Sequence, residues 1–395
     1  MRQLLSSNQQ KCIYSSIVMV VWLLLAGCQS TITQPAPSAS PGPITLPTGT
    51  NIPSPTTRPT LTASPTVTVA PPKMVGPDSY PQGINPLTGL AVDDPDVLAR
   101  RPLLIKISNA PPEVRPQSGI GSADIIFENY AEGGWTRFAA IFYSQDAGHV
   151  GSVRSVRLVD MQIAQAFDAI MVFSGGSRGV IDMVRLSPLY PYNTISPQFG
   201  YGEPYFVRFP RSGLAFEHTL FTDTTMLREW LADKNVREEP GFSLPGMAFL
   251  ALIPDGGQAA TSVTIDYART RASWRFDPLS GAYLRWTDNT PHTDAITGQQ
   301  LAFENIIVIS AYHDEVDLFP EKYFGEEKSL YIELQGDGPM TLLRDGQAFE
   351  GRWHRATEDD MFTFTDPNEK TLSLKPGRTF FQIIRAGFEQ LVIEP

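Results

Sequence analysis

The chain has 395 residues, 42% hydrophobic and 18% charged, with 42 acidic against 31 basic side chains and a net charge of −11. Its apolar content excludes wholesale disorder, and its length suits two domains better than one. The acidity argues against a general nucleic-acid binder, which must neutralise phosphates, and against electrostatic adhesion to anionic lipid. Both cysteines, Cys12 and Cys28, lie at the N-terminus, so the body has neither a disulfide framework nor a Cys-built zinc site.

Arg2 and Lys11 are the only charges before Gln29, and an apolar run from Ile17 to Ala26 follows them. That run is too short to span a bilayer comfortably and ends in Leu25-Ala26-Gly27-Cys28, which reads as a bacterial lipobox. Residues 1–27 are then a lipoprotein signal peptide, and Cys28 becomes the acylated N-terminus. Two or three acyl chains hold a protein at a membrane where one is marginal.

Residues 28–73 are a Ser/Thr/Pro-rich tether. Between Ser30 and Pro72, 27 of 43 residues are Ser, Thr or Pro, and Arg58 is the only charge. So little apolar surface cannot offset the entropy of ordering. Its 11 prolines favour a semi-extended chain reaching about 130 Å, which would hold the folded body away from the membrane.

The body is expected to be α+β: an N-terminal mixed α/β domain over 74–250 and a β-rich C-terminal domain over 258–395. Leu103–Ile107, Ile125–Glu128 and Phe138–Tyr143 read as strands, the last two joined in a hairpin through Glu132-Gly133-Gly134-Trp135. Val153, Val156, Val159, Ile163 and Phe167 recur at helical spacing, predicting a helix from a Ser152 cap to about Phe167. A strand at Ala169–Phe173 runs into Ser174-Gly175-Gly176-Ser177, a helix starts near Arg178, and another covers Asp223 to Asp233. The Pro/Gly-containing stretch Glu239 to Gly257 is the predicted boundary. Beyond Thr261, short β-branched and aromatic segments recur between turn signals such as Asp288-Asn289 and Gly336-Asp337-Gly338, the pattern of a sheet-rich domain.

The segments Asn85-Pro86-Leu87-Thr88-Gly89, Arg115-Pro116-Gln117-Ser118-Gly119, Ala123-Asp124-Ile125-Ile126-Phe127-Glu128, Glu132-Gly133-Gly134-Trp135-Thr136-Arg137 and Gly151-Ser152-Val153-Arg154-Ser155-Val156-Arg157 resemble, in that order and spacing, the YerB-like lipoprotein family. Asn305-Ile306-Ile307-Val308, Gly351-Arg352-Trp353 and Leu374-Lys375-Pro376-Gly377 resemble its C-terminal domain. The chain departs from the pattern at Glu217-His218-Thr219, where His followed by Asn is expected. The resemblance implies a two-domain envelope lipoprotein and carries over no catalytic residues.

Arg154 and Arg157, three apart on the predicted helix, would project side by side, and arginine suits bidentate binding of carboxylate or phosphate. The competing reading pairs them with Asp124, Glu128, Glu132 or Asp160. Ser174, Gly175, Gly176 and Ser177 sit where a strand hands over to a helix, so their amides can face an anion, or they form a plain tight turn. The loop is neither a P-loop nor a dinucleotide fingerprint. Trp274, Trp286, Trp353 and Tyr283 read as core or as sugar-stacking rings.

The leading expectation is therefore a lipid-anchored, extracytoplasmic binding or scaffolding protein of the bacterial cell envelope. Its ligand-binding cleft would draw on Arg115, Gln117, Glu128, Glu132, Arg137, Arg154, Arg157, Ser174–Ser177 and His218, and would take an acidic ligand or partner. The alternative is an envelope glycan hydrolase using Glu128 or Glu132 with His218. No cofactor, no metal and no nucleic-acid partner is expected. The predicted partners are the membrane, through acylated Cys28, and a cell-wall component or envelope protein.

Overall fold

The computed structural model describes residues 72–234, 236, 244–325, 328–387 and 391–395. The signal peptide, Cys28 and nearly all of the tether lie outside these residues, as does part of the predicted boundary. The described residues belong to one compact unit.

The fold is α+β. Fourteen of its strands position the features below. They are β1 (Leu103–Ser108), β2 (Ile125–Tyr130), β3 (Thr136–Phe142), β4 (Ile170–Val172), β5 (Thr194–Ile195), β6 (Ser262–Tyr267), β7 (Thr270–Asp277) and β8 (Ala282–Thr287). There follow β9 (Asn305–Ala311), β10 (Gly336–Arg344), β11 (Gln347–Arg355), β12 (Thr363–Thr365), β13 (Thr379–Arg385) and β14 (Leu391–Glu394). Among the described residues there are three α-helices: α1 (Leu158–Ala166), α2 (Arg178–Leu186) and α3 (Thr224–Asp233).

The largest sheet has the order β12-β11-β10-β9-β13-β2-β3-β1-β4-β5. Strands of both halves of the body meet at its centre, where β2 runs parallel to β13 with Ile125 opposite Thr379 and Glu128 opposite Gln382. Phe127 and Phe381 stack across this seam at 4.3 Å. Every residue of β1 and β2 is buried, which explains why these strands read as near-continuous apolar runs rather than alternating ones. A second sheet, β8-β7-β6-β14, alternates buried and more exposed residues along β6 and brings Trp274 and Tyr283 into the core, both at 0% exposure.

The hairpin, the strand after α1 and the helices starting near 178 and 223 lie where the sequence places them. Ser177 caps α2 by accepting from the Val180 amide, and Asp223 caps α3 through the Thr225 and Met226 amides. The helix predicted from Ser152 is a correction: α1 begins only at Leu158. Residues 152–156 are extended because their backbone groups bond sideways. Ser152 O accepts from Ser108 N, while Val153 N, Arg154 N and Val156 N donate to the carbonyls of Leu220, Lys106 and Gly175. Val153 and Val156 are both buried, so the three-residue spacing reflects two contacts of a strap rather than one helical face.

Candidate functional site

The strap 152–157 crosses the C-terminal end of β1 and is held on its other edge by the loop after β4, where Ser174 N donates to Arg154 O at 2.9 Å. Gly151 leads into it under close cover: a Cβ there would stand 2.6 Å from the Phe221 ring. Gly175, at φ +155°, takes a backbone conformation that favours glycine. Ligands of open α/β sheets gather at such C-terminal strand ends.

Arg154 and Arg157 extend from this strap, and Arg137 at the start of β3 joins them. Arg137 Nη1 and Arg157 Nη1 each donate to the Ser155 carbonyl at 3.2 Å. Glu132, in the hairpin turn, places Oε2 at 2.6 Å from both Nε and Nη2 of Arg157. Burial pushes the Glu132 carboxyl up, but the Arg157 charge and hydrogen bond, its own backbone amide and Arg137 together hold it below the usual carboxylate range. Arg137 is pulled down to about 9, first by burial and then by the neighbouring Arg157 and Arg154 charges. Burial likewise lowers Arg154.

Beneath them lies a fully buried ion pair, Lys106 Nζ to Asp160 Oδ1 at 2.6 Å. Asp160 also accepts from the Arg157 amide at 2.7 Å, so the same carboxylate starts α1 and fixes the strap. Arg157 is thus paired with Glu132 and Lys106 with Asp160, whereas Arg137 and Arg154 spend their hydrogen bonds on carbonyls. Arg154 Nη1 reaches Glu217 O at 2.8 Å on the exposed side, and its Nε has no partner.

That last contact brings in His218. It ends the single turn Phe216–His218 and is buried, with Nδ1 unpartnered. Burial and then Arg154 lower its pKa, so the imidazole is neutral at pH 7. At the departure from the family pattern, the Thr219 hydroxyl donates to Phe216 O at 2.8 Å. The Ser174–Ser177 loop divides: Ser174 and Gly175 brace the strap, while Ser177 turns to α2 and, with Gly179, lines a recess closed by Leu318 and Tyr323.

Three candidates go elsewhere. Glu128 is completely buried, and Asn109 Nδ2 at 3.0 Å, Thr136 Oγ1 at 2.7 Å and Arg285 Nη2 at 2.7 Å reach its two oxygens. A carboxylate with no exposed surface that is bonded on both oxygens meets no substrate, so the Glu128/Glu132 acid–base pair is not formed. Gln117 donates to Ser108 O and accepts from His292 Nε2, joining the same buried network. Arg115 pairs with Asp288 of the second half at 2.7 Å.

Sequence reasoning missed Lys106, Asn109, Arg285 and His292, which organise this region. A signal existed: a lysine inside Leu-Leu-Ile-Lys-Ile and an arginine inside Tyr-Leu-Arg-Trp are charges in buried strands and require partners. Of the aromatic candidates, Trp274, Tyr283 and Trp353 are core, and Trp286 lies partly buried under Arg275. Among the described residues no group of three His, Cys, Asp or Glu side chains could hold a metal ion, and no helix is long and apolar enough to cross a membrane.

Residues 87–237 match the family model described as the N-terminal domain of a protein of unknown function, DUF3048, and residues 263–381 match the model of its C-terminal domain. The chain is 28% identical over 331 residues to a Bacillus subtilis (strain 168) protein named "Putative lipoprotein YerB", covering 78% of this chain and 88% of that one. It also resembles the crystal structure of the Bacillus subtilis YerB protein, with a TM-score of 0.66 at 26% identity over 79% of this chain and 99% of the other.

Proposed function

The chain belongs to the DUF3048 family, whose N-terminal and C-terminal domains it carries in order, and from that footing we propose a lipid-anchored, extracytoplasmic binding protein of the bacterial envelope that captures an anionic group on its arginine strap. The anchor rests on Leu25-Ala26-Gly27-Cys28 and the tether behind it, and the lipoprotein name of the relative supports it.

The observation that carries the binding reading is the uneven pairing of the arginines. Arg157 has Glu132, but Arg137 and Arg154 sit beside it with carbonyls as their bonded acceptors. Like charges brought together and partly desolvated favour an incoming anion, because it relieves repulsion that water screens poorly there. Neutral His218 adds a hydrogen-bonding group beside Arg154 rather than a further charge. The acidity of the whole chain does not oppose this, since a local cationic site can stand on an acidic body.

The ligand class is a carboxylate or phosphate on a cell-wall component or on an acidic segment of an envelope protein. Calorimetric titration of the purified chain with tetraglutamate tests the reading. Saturable binding that weakens about tenfold or more in Arg154→Ala, the worth of one charge-assisted hydrogen bond, is expected. Binding unchanged by the substitution, or absent in the wild type, overturns it.

A further inference from the structure

A separate recess of about 360 Å³ opens where the two halves of the body meet, and none of Arg137, Arg154, Arg157 and His218 lines it. Its size falls within the range of small-molecule sites, which favour such junctions. Pro112 and Pro116 from the first half and Pro291 from the second supply apolar wall. Arg115 and Asp288 supply opposite charges, 2.7 Å apart.

The turn that presents Asp288 is built for the purpose. Asp288 and Asn289 have φ of +50° and +63°, the conformation of a two-residue hairpin turn, which these residue types tolerate. The Arg271 amide donates to Asp288 Oδ1 at 2.8 Å, leaving Oδ2 for Arg115.

The floor is uncharged, by hydrogen-bond logic. His292 Nδ1 lies 3.1 Å from Arg285 Nε, and an arginine only donates, so Nδ1 carries a lone pair. Nε2 therefore holds the proton and donates to Gln117 Oε1 at 2.6 Å. The remaining lining is threonine and proline, so among the described residues Arg115 and Asp288 are the formal charges facing the space, and they sum to zero.

We infer that this recess binds a zwitterionic ligand of dipeptide size, an unblocked short peptide whose carboxylate meets Arg115 and whose ammonium meets Asp288. A net anion would face Asp288, and a net cation would face Arg115. The guest exchanges with the Arg115–Asp288 contact from the Asp288 side, which is 36% exposed, while Arg115, at 13%, stays held by the Asn109 carbonyl. Arg115 Nη2 is covered and has no acceptor, so a guanidinium that parts from Asp288 and turns toward the recess gains a partner for this N–H in the incoming carboxylate.

The test is calorimetric titration of the purified full chain with alanyl-alanine, as the L,L and D,D forms, with N-acetyl-alanyl-alanine and with alanyl-alanine amide. Saturable binding of an unblocked dipeptide is expected, with both blocked forms about tenfold weaker or more. Arg115→Gln and Asp288→Asn should each weaken the dipeptide similarly, while Arg115→Lys, which keeps the charge, retains part of the affinity. Thermal melts of the same samples verify that the variants are folded. The inference is overturned if no dipeptide saturates the protein, if a blocked form binds as tightly as the free one, or if folded variants bind like the wild type.

Discussion

Arg137 and Arg157, twenty residues apart in the chain, donate to one and the same acceptor, the Ser155 carbonyl, each at 3.2 Å. Two guanidinium groups on a single oxygen would repel one another, and Arg154 adds a third charge from the same strap. Glu132 compensates only one of them through Arg157. The cluster therefore keeps positive charge on a partly buried surface, which is the physical basis of the proposed anion capture.

Glu132→Gln removes the carboxylate that occupies Arg157 and should tighten tetraglutamate binding. The pair is largely buried, at 13% and 31% exposure, and Arg137 and Arg154 stand beside it, so the substitution should also cost stability, by more than the roughly 1 kcal/mol of an exposed pair. Calorimetry and thermal melting of one preparation measure both quantities. Weakened binding would mean that Glu132 orients the arginine for its ligand rather than competing with it.

Glu128 and Arg285 behave differently, because both are at 0% exposure and join the two halves of the body. Arg285 also lies over the rings of Phe138, Trp274 and Phe380. Glu128→Ala leaves that guanidinium buried without its counter-charge and should destabilise by about 3–5 kcal/mol. Denaturant unfolding checks this, and a loss no larger than that of a surface pair would contradict the structural role.

Acid should weaken the fold before carboxylates dominate the titration. Burial lowers His313 from 6.5 to about 4 and puts His292 well below its ordinary value. Below pH 6.5 the unfolded chain takes up these protons while the folded one refuses them. The stability contribution is thus complete above 6.5 and is lost as pH falls toward 4. For His313 alone the loss by pH 5 is about 2 kcal/mol. Unfolding curves at pH 7 and pH 5 should show a smaller difference in His313→Gln than in the wild type; equal differences would remove His313 from the account.

Cys28→Ser should release the protein from the membrane fraction of the producing cells, since the acyl chains have no other attachment point in the lipobox reading. Fractionation followed by detection of the chain measures this. Retention at the membrane would refute the lipid anchor.

The sheet was legible in the sequence where burial is two-sided, as in Leu103–Ile107 and Ile125–Glu128, because such strands are apolar apart from the single charges Lys106 and Glu128. The strap was not. Val153 and Val156 satisfy helical spacing, yet their amides bond to Leu220 and Gly175, partners that only the tertiary fold supplies. The arginines of the site were readable as residue types, since clustered Arg in otherwise apolar surroundings implies an anion or an internal acid. Which of the two applies depends on contacts across the fold, and these divide the candidates: Arg157 goes to Glu132, Arg115 to Asp288, and Glu128 to Arg285. Arg285 comes from the other half of the body, 157 residues away in the chain, and no local pattern links it to Glu128.

Anion capture by particular guanidinium groups is tested most directly by following their Nε–H signals by nuclear magnetic resonance during a tetraglutamate titration. Those of Arg137 and Arg154 should shift and saturate together, while Arg344 and Arg355, buried and engaged with main-chain carbonyls, stay still. Movement spread evenly over surface arginines, or none at Arg137 and Arg154, would contradict the account.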